Sequence, residues 1–238
     1  MKAMILAAGM GTRLQPHTFT RPKALVEVKG IPLLEIVIRK LIKHGFNDII
    51  INVHHFADQI VNFLEQKQNF GIAISISDET GLLLDTGGGI LKARDFFNDS
   101  QPFLVHNVDI LSNINLTDLY AFHLKYHPLA TLAVKDRKTS RSLLINANHE
   151  LCGWTNNHTG ATVISKVNEE ELISLAFSGI HVVNPEIFPL INEKGVFSIT
   201  NTYLCLAKNH SILTWRHDND FWIDMGRIEN LTEAERYI

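Results

Sequence analysis

Cysteine is scarce in this sequence, whose 238 residues include only Cys152 and Cys205 and no Cys-x-x-Cys pair. The chain therefore has no disulfide framework. Long apolar runs are also missing. The first run, residues 3–8, ends at Gly9 and is too short for a signal peptide or a membrane span, and no later run approaches about 18 apolar residues. We therefore expect a cytoplasmic protein without a membrane partner.

A strong charge of either sign is missing as well. The formal net charge is −3 and the sequence pI is about 6.4. Nothing in this balance indicates a nucleic-acid or anionic-membrane partner. An acidic ligand must therefore be met by local basic residues and backbone amides.

No internal repeat, low-complexity segment or Pro/Gly/Ser-rich linker divides the chain. Its length and its 45% of hydrophobic residues are sufficient for a sizeable core. We therefore predict one domain over residues 1–238. A change to Asn, His, Thr and Ser predicts a β-rich insertion at about residues 137–166. The oligomeric state stays open between a monomer and a small homo-oligomer.

Short apolar runs alternate along the chain with segments of helical periodicity. Residues 3–8, 49–53 and 102–105 are predicted to be strands, and Pro32 is predicted to open a helix. This alternation predicts an α/β fold with a Rossmann-like, mainly parallel mixed sheet, helices on both faces and a small β-hairpin insertion. Ligands of such sheets bind beyond the carboxyl ends of the strands, so the loops after the first and third strands are the first candidates for chemistry.

Gly9 and Gly11 follow the first predicted strand directly. Two glycines at this spacing allow backbone amides to approach a phosphate, although the pattern alone is also typical of a simple tight turn. A Walker A loop is absent. A dinucleotide fingerprint would need glycine where Leu14 stands and an acidic residue at the end of the second strand, so a Rossmann oxidoreductase is disfavoured.

The longer run from Gly9 to Lys23 reads G-M-G-T-R-L-Q-P-H-T-F-T-R-P-K. It resembles the signature G-x-G-T-R-L-x-P-x-T-x-x-x-P-K of the nucleoside-diphosphate-sugar pyrophosphorylases, and every defined position matches. The resemblance implies the nucleotide-diphospho-sugar transferase fold, and from the length of the sequence we expect no C-terminal β-helix. It also implies a Mg²⁺-dependent enzyme that joins a nucleoside monophosphate from an NTP to a sugar-1-phosphate and releases pyrophosphate.

The run L-D-T-G-G-G-I at residues 84–90 is similar to one branch of this family. That branch contains N-acetylmuramate-1-phosphate uridylyltransferases and mannose-1-phosphate guanylyltransferase-like proteins. The similarity implies UTP and an N-acetylated sugar-1-phosphate such as N-acetylmuramate-1-phosphate as substrates, and hence a link to the cell wall. Mannose-1-phosphate guanylyltransfer is the alternative within the branch.

The sequence leaves two other functions open. One is a phosphocholine-type cytidylyltransferase, although nothing places the three tryptophans in one choline cage. The other is a nucleotide-sensing module that has lost turnover. The presence of Arg13, Lys23, Asp109 and Asp224 favours an active enzyme over such a sensor.

The resemblance further implies roles for individual residues. Arg13, Lys23 and Asp109 are expected to be catalytic, the two cations by neutralising the phosphates that leave as pyrophosphate. Asp109 and Asp224, the latter in an intact Trp-x-Asp-x-Gly motif, are expected to hold Mg²⁺ at the ends of two strands of the central sheet. Val108 stands where the family often has glycine, which leaves the conformation of the first metal loop open.

The substrate contacts are implied in the same way. The nucleotide is expected to contact Ala8, Gly9, Gly11, Thr12, Arg13, Lys23, Thr86, Gly87, Gly88 and Asn107. The glycine run is predicted to be a loop before a helix that begins at Ile90, and Gly179 and Asn107 are expected to contact the sugar. Many relatives hold the sugar phosphate with the lysine of a Glu-Lys-Pro segment, which is absent here, so that position is unassigned.

Overall fold

The computed structural model describes residues 1–167 and 171–238. The strands in these residues are β1 (Lys2–Leu6), β2 (Glu27–Val28), β3 (Ile31–Pro32), β4 (Asp48–Val53), β5 (Ala73–Asp78), β6 (Phe103–Asn107), β7 (Ile110–Ser112), β8 (Ala130–Lys135), β9 (Arg141–Ile145), β10 (Leu151–Asn156), β11 (Thr162–Ile164), β12 (Ile173–Val183), β13 (Ile212–Arg216) and β14 (Trp222–Asp224). The α-helices are α1 (Leu33–Lys43), α2 (Ala57–Gln66), α3 (Asp85–Lys92), α4 (Leu116–Tyr126), α5 (Ile199–Leu206) and α6 (Glu229–Ala234). Short 3-10 helices lie at Thr12–Leu14, Lys23–Leu25, Gln68–Gly71, Arg94–Phe96 and Pro185–Leu190.

One mixed sheet of ten strands organises the described chain. Its main order is β11-β10-β9-β12-β6-β1-β4-β5, and β8 joins β12 to β13. The pairs β1–β4, β1–β6, β4–β5 and β8–β13 are parallel, whereas β12 is antiparallel to each strand it pairs with. The neighbours β6, β1, β4 and β5 are parallel to one another, and the predicted α/β fold with a mixed sheet around such a parallel part is thereby confirmed.

Helices cover both faces of the sheet because the central strands are apolar on both sides. Ala3 and Ile5 of β1 belong to one core cluster, with residues of α1, α2 and α4. Met4, between them, belongs to a second cluster that includes residues of α3 and α5. Successive side chains of a strand point to opposite faces, so this one short run contributes to both cores.

The predicted β-rich insertion contains β9, β10 and β11. These strands pair antiparallel with one another, and β9 pairs with the beginning of β12. The hairpin structure therefore continues the central sheet edge to edge. It forms one end of the same ten-stranded sheet.

Strand β14 differs from its predicted place. It pairs with β7 in a separate antiparallel sheet of two strands and lies outside the central sheet. The expectation that Asp224 ends a central strand is therefore wrong. Ile223 and Met225 on either side of it are buried in a third apolar cluster with Leu14, and this cluster sets the position of the carboxylate.

Helix α3 begins earlier than predicted, at Asp85. The run Gly87, Gly88 and Gly89 lies within the helix and is buried, so the predicted loop before Ile90 is wrong. Neighbouring segments pack so closely against this turn that side chains are excluded there. None of the helices in the described part of the chain has the length and apolarity needed to cross a bilayer.

Four histidines are buried in the described core without full hydrogen bonding: His106, His123, His181 and His217. Burial disfavours the charged ring, lowering the pKa of His106 and His181 from 6.5 to about 3 and the pKa of His123 and His217 to about 4. His181 lies between Phe177 and Tyr203, and neither of its ring nitrogens has a partner in the described residues. The protein therefore contains neutral imidazoles that the unfolded chain would protonate.

We expect the free energy of unfolding to fall as the pH decreases from about 6.5 towards 3. The unfolded chain binds protons there that the folded protein excludes, and each such histidine contributes a slope of up to about 1.4 kcal/mol per pH unit. Urea titrations between pH 7 and 4 should show that the free energy of unfolding depends less steeply on pH in His181→Leu. The unfolded variant has no imidazole at position 181 to bind a proton. His158→Leu, at an exposed position, should keep the wild-type slope. Equal slopes in all three proteins would contradict the prediction.

Candidate active site

The loop after β1 turns sharply at Gly11. This residue has φ +65°, and a Cβ there would lie 2.9 Å from both Lys23 Cβ and Thr18 Cγ2. Thr18 Oγ1 donates a hydrogen bond to the Gly11 carbonyl at 2.9 Å, and the Leu14 amide donates to the same oxygen at 2.9 Å. Glycine is therefore required here both for the left-handed turn and for the close approach of Lys23.

Lys23 and Asp109 form an ion pair at the bottom of the same region. Their side chains are only 12% and 15% exposed, whereas Arg13, at the rim, is 59% exposed. Lys23 lies on the short helix Lys23–Leu25 after Pro22, and Asp109 follows β6 directly. The carboxyl end of β6 thus places the acid beside the basic loop, as the position of the motif predicts.

Asp224 reaches this place from the small β7–β14 sheet. The Met225 amide donates to the Asp109 carbonyl at 2.7 Å, which ties the two aspartate loops together. A Cβ on Gly226 would lie 2.7 Å from Arg13 Nη2, 2.8 Å from Asp224 Oδ1 and 3.2 Å from Lys23 Nζ. Four of the predicted charged residues are therefore gathered around one point, and the lack of a side chain at position 226 leaves room for them.

This donor set fits a hard divalent cation. Mg²⁺ typically takes one or two carboxylates and completes its octahedron with water and substrate phosphate oxygens. Asp109 and Asp224 supply two carboxylates, and residues 1–167 and 171–238 contain no group of three or more His, Cys, Asp or Glu suited to a metal. Val108 does not disturb the loop, because its side chain is buried in the core and its backbone avoids positive φ.

A cleft of about 620 Å³ opens above these charges. Seven of the predicted site residues line it: Ala8, Gly9, Arg13, Lys23, Thr86, Asn107 and Asp109. Leu6, Asn52, Leu83, Asp85, Val108 and Val196 complete its wall. Its volume suits a small-molecule ligand such as a nucleotide, and its position beyond the carboxyl ends of β1 and β6 agrees with the expected location.

Asn52 and Glu79 form a buried network that the sequence analysis missed. Asn52 Oδ1 accepts hydrogen bonds from the amides of Ala7 (2.6 Å) and Ala8 (3.3 Å), and Asn52 Nδ2 donates to Glu79 Oε1 (2.8 Å). Glu79 Oε2 accepts from the Leu84 amide at 3.1 Å. This network fixes the start of the phosphate loop relative to the start of α3. The polar Asn52 within the apolar run of β4 was the available signal.

Gly87 and Gly88, which are predicted to contact the nucleotide, pack against a neighbouring segment of the chain. The Gly87 amide donates to the Phe197 carbonyl at 2.9 Å, and a Cβ on Gly88 would lie 2.3 Å from the Gly195 carbonyl oxygen. These glycines are required for packing against the segment 195–197 and do not line the cleft. Thr86 and Asp85 are the residues of this turn that border it.

Gly179 marks an irregularity in β12. The register with β8 shifts between Phe177 and His181, and Gly179 has φ +71°. A Cβ there would lie 2.8 Å from Asn107 Nδ2 and 3.2 Å from Ile110 Cγ1. The two residues predicted to contact the sugar are therefore neighbours, and glycine at 179 is what permits the position of Asn107.

Arg137 is a second basic residue that the sequence analysis missed. Its Nη2 donates to the Phe177 carbonyl at 2.9 Å, and its Cζ lies 3.6 Å from the ring centre of Trp222. Trp222 Nε1 in turn donates to the Ser178 carbonyl at 2.9 Å. The guanidinium thus connects the segment that contains Gly179 with the Trp-x-Asp-x-Gly motif.

A second cavity of about 410 Å³ lies between the β9–β11 strands and α5. Ser198 in its wall lies two residues after Val196, which lines the main cleft. Its wall combines aromatic, hydroxyl and amide groups with one charged side chain: Thr139, Ser140, Arg141, Leu143, Trp154, Val163, Phe177, Ser198, Thr200, Asn201 and Leu204. Such a surface suits a polar, hydroxyl-bearing ligand.

The fold and the gathered charges define a phosphate-handling enzyme of the α/β class. The family model described as nucleotidyl transferase matches residues 2–238, so the chain belongs to the nucleotidyl transferase family. The predicted family and the predicted nucleotidyltransferase class of enzyme are thereby confirmed.

Two relatives differ in length. The N-acetylmuramate alpha-1-phosphate uridylyltransferase of Neisseria meningitidis is 33% identical over 237 residues, covering 99% of this chain and 97% of that protein. The mannose-1-phosphate guanylyltransferase catalytic subunit beta of Dictyostelium discoideum is 30% identical over 231 residues, covering 95% of this chain. The chain spans only 61% of the length of that subunit.

A solved structure supports the fold independently. The UDP-glucose pyrophosphorylase from Acinetobacter baumanii superposes with a TM-score of 0.80 at 19% identity, covering 99% of this chain and 92% of that chain. At this level of identity the likeness concerns the fold alone.

Proposed function

We propose that the chain transfers UMP from UTP to an N-acetylated sugar-1-phosphate such as N-acetylmuramate-1-phosphate, with Mg²⁺, and releases pyrophosphate. The coarser part of this statement, a sugar-1-phosphate nucleotidyltransferase, follows from the family. The observation that carries it is the convergence of Arg13, Lys23 and Asp224 on one point beside Asp109. As part of the same proposal, we place the reaction in the cytoplasm and its product in cell-wall metabolism.

The acceptor needs no general base from the protein. The second pKa of a phosphate monoester is about 6, so the sugar phosphate is ionised near neutral pH. One of its oxygens forms a bond to the α-phosphorus of the nucleotide, and the bond from that phosphorus to the bridging oxygen of the β-phosphate breaks. The electron pair leaves with pyrophosphate, so the work of the protein is alignment and neutralisation of charge.

The basic residues stabilise the leaving group. Arg13 presents a planar fork of donors at the rim, and Lys23 presents a compact charge at the floor. Asp109 and Asp224 would hold Mg²⁺, which when bound neutralises charge on the α-phosphate. Lys23 leaves its ion pair with Asp109 to meet the phosphates, so the buried pair keeps the lysine beside the place where it acts.

The second cavity supports a bulky acceptor. We assign the acetamido and lactyl groups of the acceptor to this cavity, whose volume is about 410 Å³. Arg141 is the charged side chain among the residues that line this cavity, and it matches the lactyl carboxylate of N-acetylmuramate. The Neisseria meningitidis relative, which is named for this sugar, is matched by this chain over 97% of its own length.

The test is pyrophosphate release by the purified protein with Mg²⁺. UTP, GTP, CTP and dTTP are crossed with the 1-phosphates of N-acetylmuramate, N-acetylglucosamine, glucose and mannose, and with phosphocholine. Release with UTP and N-acetylmuramate-1-phosphate is the expected result. The Arg141→Met variant should lose the preference for this acceptor over N-acetylglucosamine-1-phosphate, which lacks the carboxylate.

Each other result has a defined meaning. Release with GTP and mannose-1-phosphate would mean that both proposed substrates are wrong and that the proposed type of reaction is right. Release only with CTP and phosphocholine would replace the acceptor class. Nucleotide binding without release from any pair would contradict the proposed activity.

A further inference from the structure

One partly buried cation, Arg137, has no role in the proposed transfer. Arg137 follows β8, and in the described residues only one of its Nη2–H groups has a partner, the Phe177 carbonyl. Its Nε is buried without a partner in that part of the chain. A guanidinium carries five N–H donors, and leaving buried donors unpaired is costly. Such an arrangement indicates that another acceptor completes it.

We propose that Arg137 binds the phosphate of the acceptor, the position that the missing Glu-Lys-Pro lysine leaves unassigned. This inference rests on the proposed function, because it concerns how the sugar-1-phosphate is held. It adds a specific anion contact on the acceptor side of the reaction.

The position of Arg137 follows from its two neighbours. Its guanidinium stacks on Trp222, two residues before Asp224, and bonds to the carbonyl of Phe177, two residues before Gly179. The reacting phosphate of a sugar-1-phosphate must lie between the α-phosphate, held near the aspartates, and the sugar. Arg137 connects the two segments that border these places.

The charge of Arg137 suits a dianion. Burial lowers its pKa to about 10, partly opposed by the negative charge of Asp224, so the side chain stays protonated at neutral pH. An arriving phosphate would therefore meet a cation that is already oriented and partly desolvated.

The planar shape of the group explains why arginine serves here. The guanidinium carbon lies 3.6 Å from the centre of the Trp222 ring, and a planar guanidinium can contact an aromatic face and still donate hydrogen bonds to a phosphate. Lys138, the next residue, is exposed and makes none of these contacts in the described structure. Lys138 therefore provides a matched control, because it is a basic residue next to Arg137 in the sequence.

The experiment compares Arg137→Met, Arg137→Lys and Lys138→Met with the wild type. Steady-state kinetics are measured with the nucleotide and acceptor that give the fastest pyrophosphate release. Calorimetry measures equilibrium binding of N-acetylmuramate-1-phosphate in the presence of a non-hydrolysable UTP analogue. For Arg137→Met we expect the KM and the dissociation constant of the sugar phosphate to rise roughly 10- to 100-fold, while the KM for UTP changes less than about two-fold. Arg137→Lys should recover part of the loss, and Lys138→Met should match the wild type.

A purely structural role predicts a different pattern. Arg137→Met would then lower the melting temperature and change the constants for both substrates together, and Arg137→Lys would recover nothing, which would overturn the inference. Unchanged acceptor constants in an active enzyme would overturn it and leave the proposed function intact. If no pair of nucleotide and acceptor releases pyrophosphate, the proposed activity fails. Weaker sugar-phosphate binding by Arg137→Met, with wild-type binding by Lys138→Met, would still support the role of Arg137 in binding the acceptor phosphate. A wild type that binds no sugar phosphate would overturn both.

Discussion

The Asp109→Asn and Asp224→Asn variants are each expected to lose about 10³-fold or more in kcat for pyrophosphate release. Each substitution keeps the shape of the side chain and removes one of the two carboxylates that fit the metal. The hydrogen bond from the Met225 amide to the Asp109 carbonyl joins the two loops, and the described residues hold no group of three or more His, Cys, Asp or Glu that could bind the metal instead. Mg²⁺ titrations of activity and direct measurements of nucleotide binding would separate loss of metal from loss of substrate.

The two variants should differ in one respect. Asp109→Asn also removes the ion-pair partner of the largely buried Lys23, whereas Asp224→Asn leaves that pair in place. We therefore expect nucleotide binding without metal to become tighter in Asp109→Asn than in Asp224→Asn, because Lys23 is then free to meet the phosphates. Asp95→Asn is the control, since the side chain of Asp95 is 93% exposed on the short helix Arg94–Phe96. Near-normal, Mg²⁺-dependent turnover in either site variant would refute the metal assignment.

Local sequence was sufficient for the parts of the site built from one continuous segment. The Gly9–Lys23 run folds as a loop and two short helices, so its motif predicts its own geometry. Asp109 was predictable for the same reason, because it follows directly on β6. In both cases the position at the carboxyl end of a central strand depends on only one strand and the loop after it.

The rest depends on contacts between distant segments. Asp224 reaches the site through pairing of β14 with β7, and no periodicity in three residues reveals that partner. Arg137 is one charge in a polar stretch until Phe177 and Trp222 are placed around it. Tertiary packing of this kind is not encoded in any local pattern, so sequence reasoning left the acceptor phosphate without a residue.

The glycine run shows a related limit. Three consecutive glycines at 87–89 favour a loop by intrinsic preference, since glycine in a helix costs up to about 1 kcal/mol relative to alanine. The structure nevertheless forms α3 through them, because the segment 195–197 and the Asn52–Glu79 network approach too closely for side chains. Packing thus overrides propensity here, and a substitution can measure by how much.

Gly88→Ala is expected to lower the free energy of unfolding by about 3 kcal/mol, although alanine is the better helix former. Its Cβ would lie 2.3 Å from the Gly195 carbonyl oxygen, a backbone atom that has no side-chain rotamer through which to retreat. Three backbone hydrogen bonds hold that segment in place. The amides of Gly87 and Gly88 donate to the Phe197 carbonyl at 2.9 and 3.3 Å, and the Phe197 amide donates to the Leu84 carbonyl at 3.2 Å. The added methyl group must therefore displace backbone on one side or the other.

Thermal and urea unfolding would measure this cost, with an expected fall in Tm of about 10 °C for a chain of this size. The control is Gly81→Ala, where an added Cβ meets nothing within 4 Å, and its stability should stay within about 0.5 kcal/mol of the wild type. Because Val196 lines the cleft, the displaced segment should also weaken nucleotide binding in Gly88→Ala. An unchanged Tm together with weaker binding would mean that the segment 195–197 moves easily and that its close packing serves the cleft more than the fold.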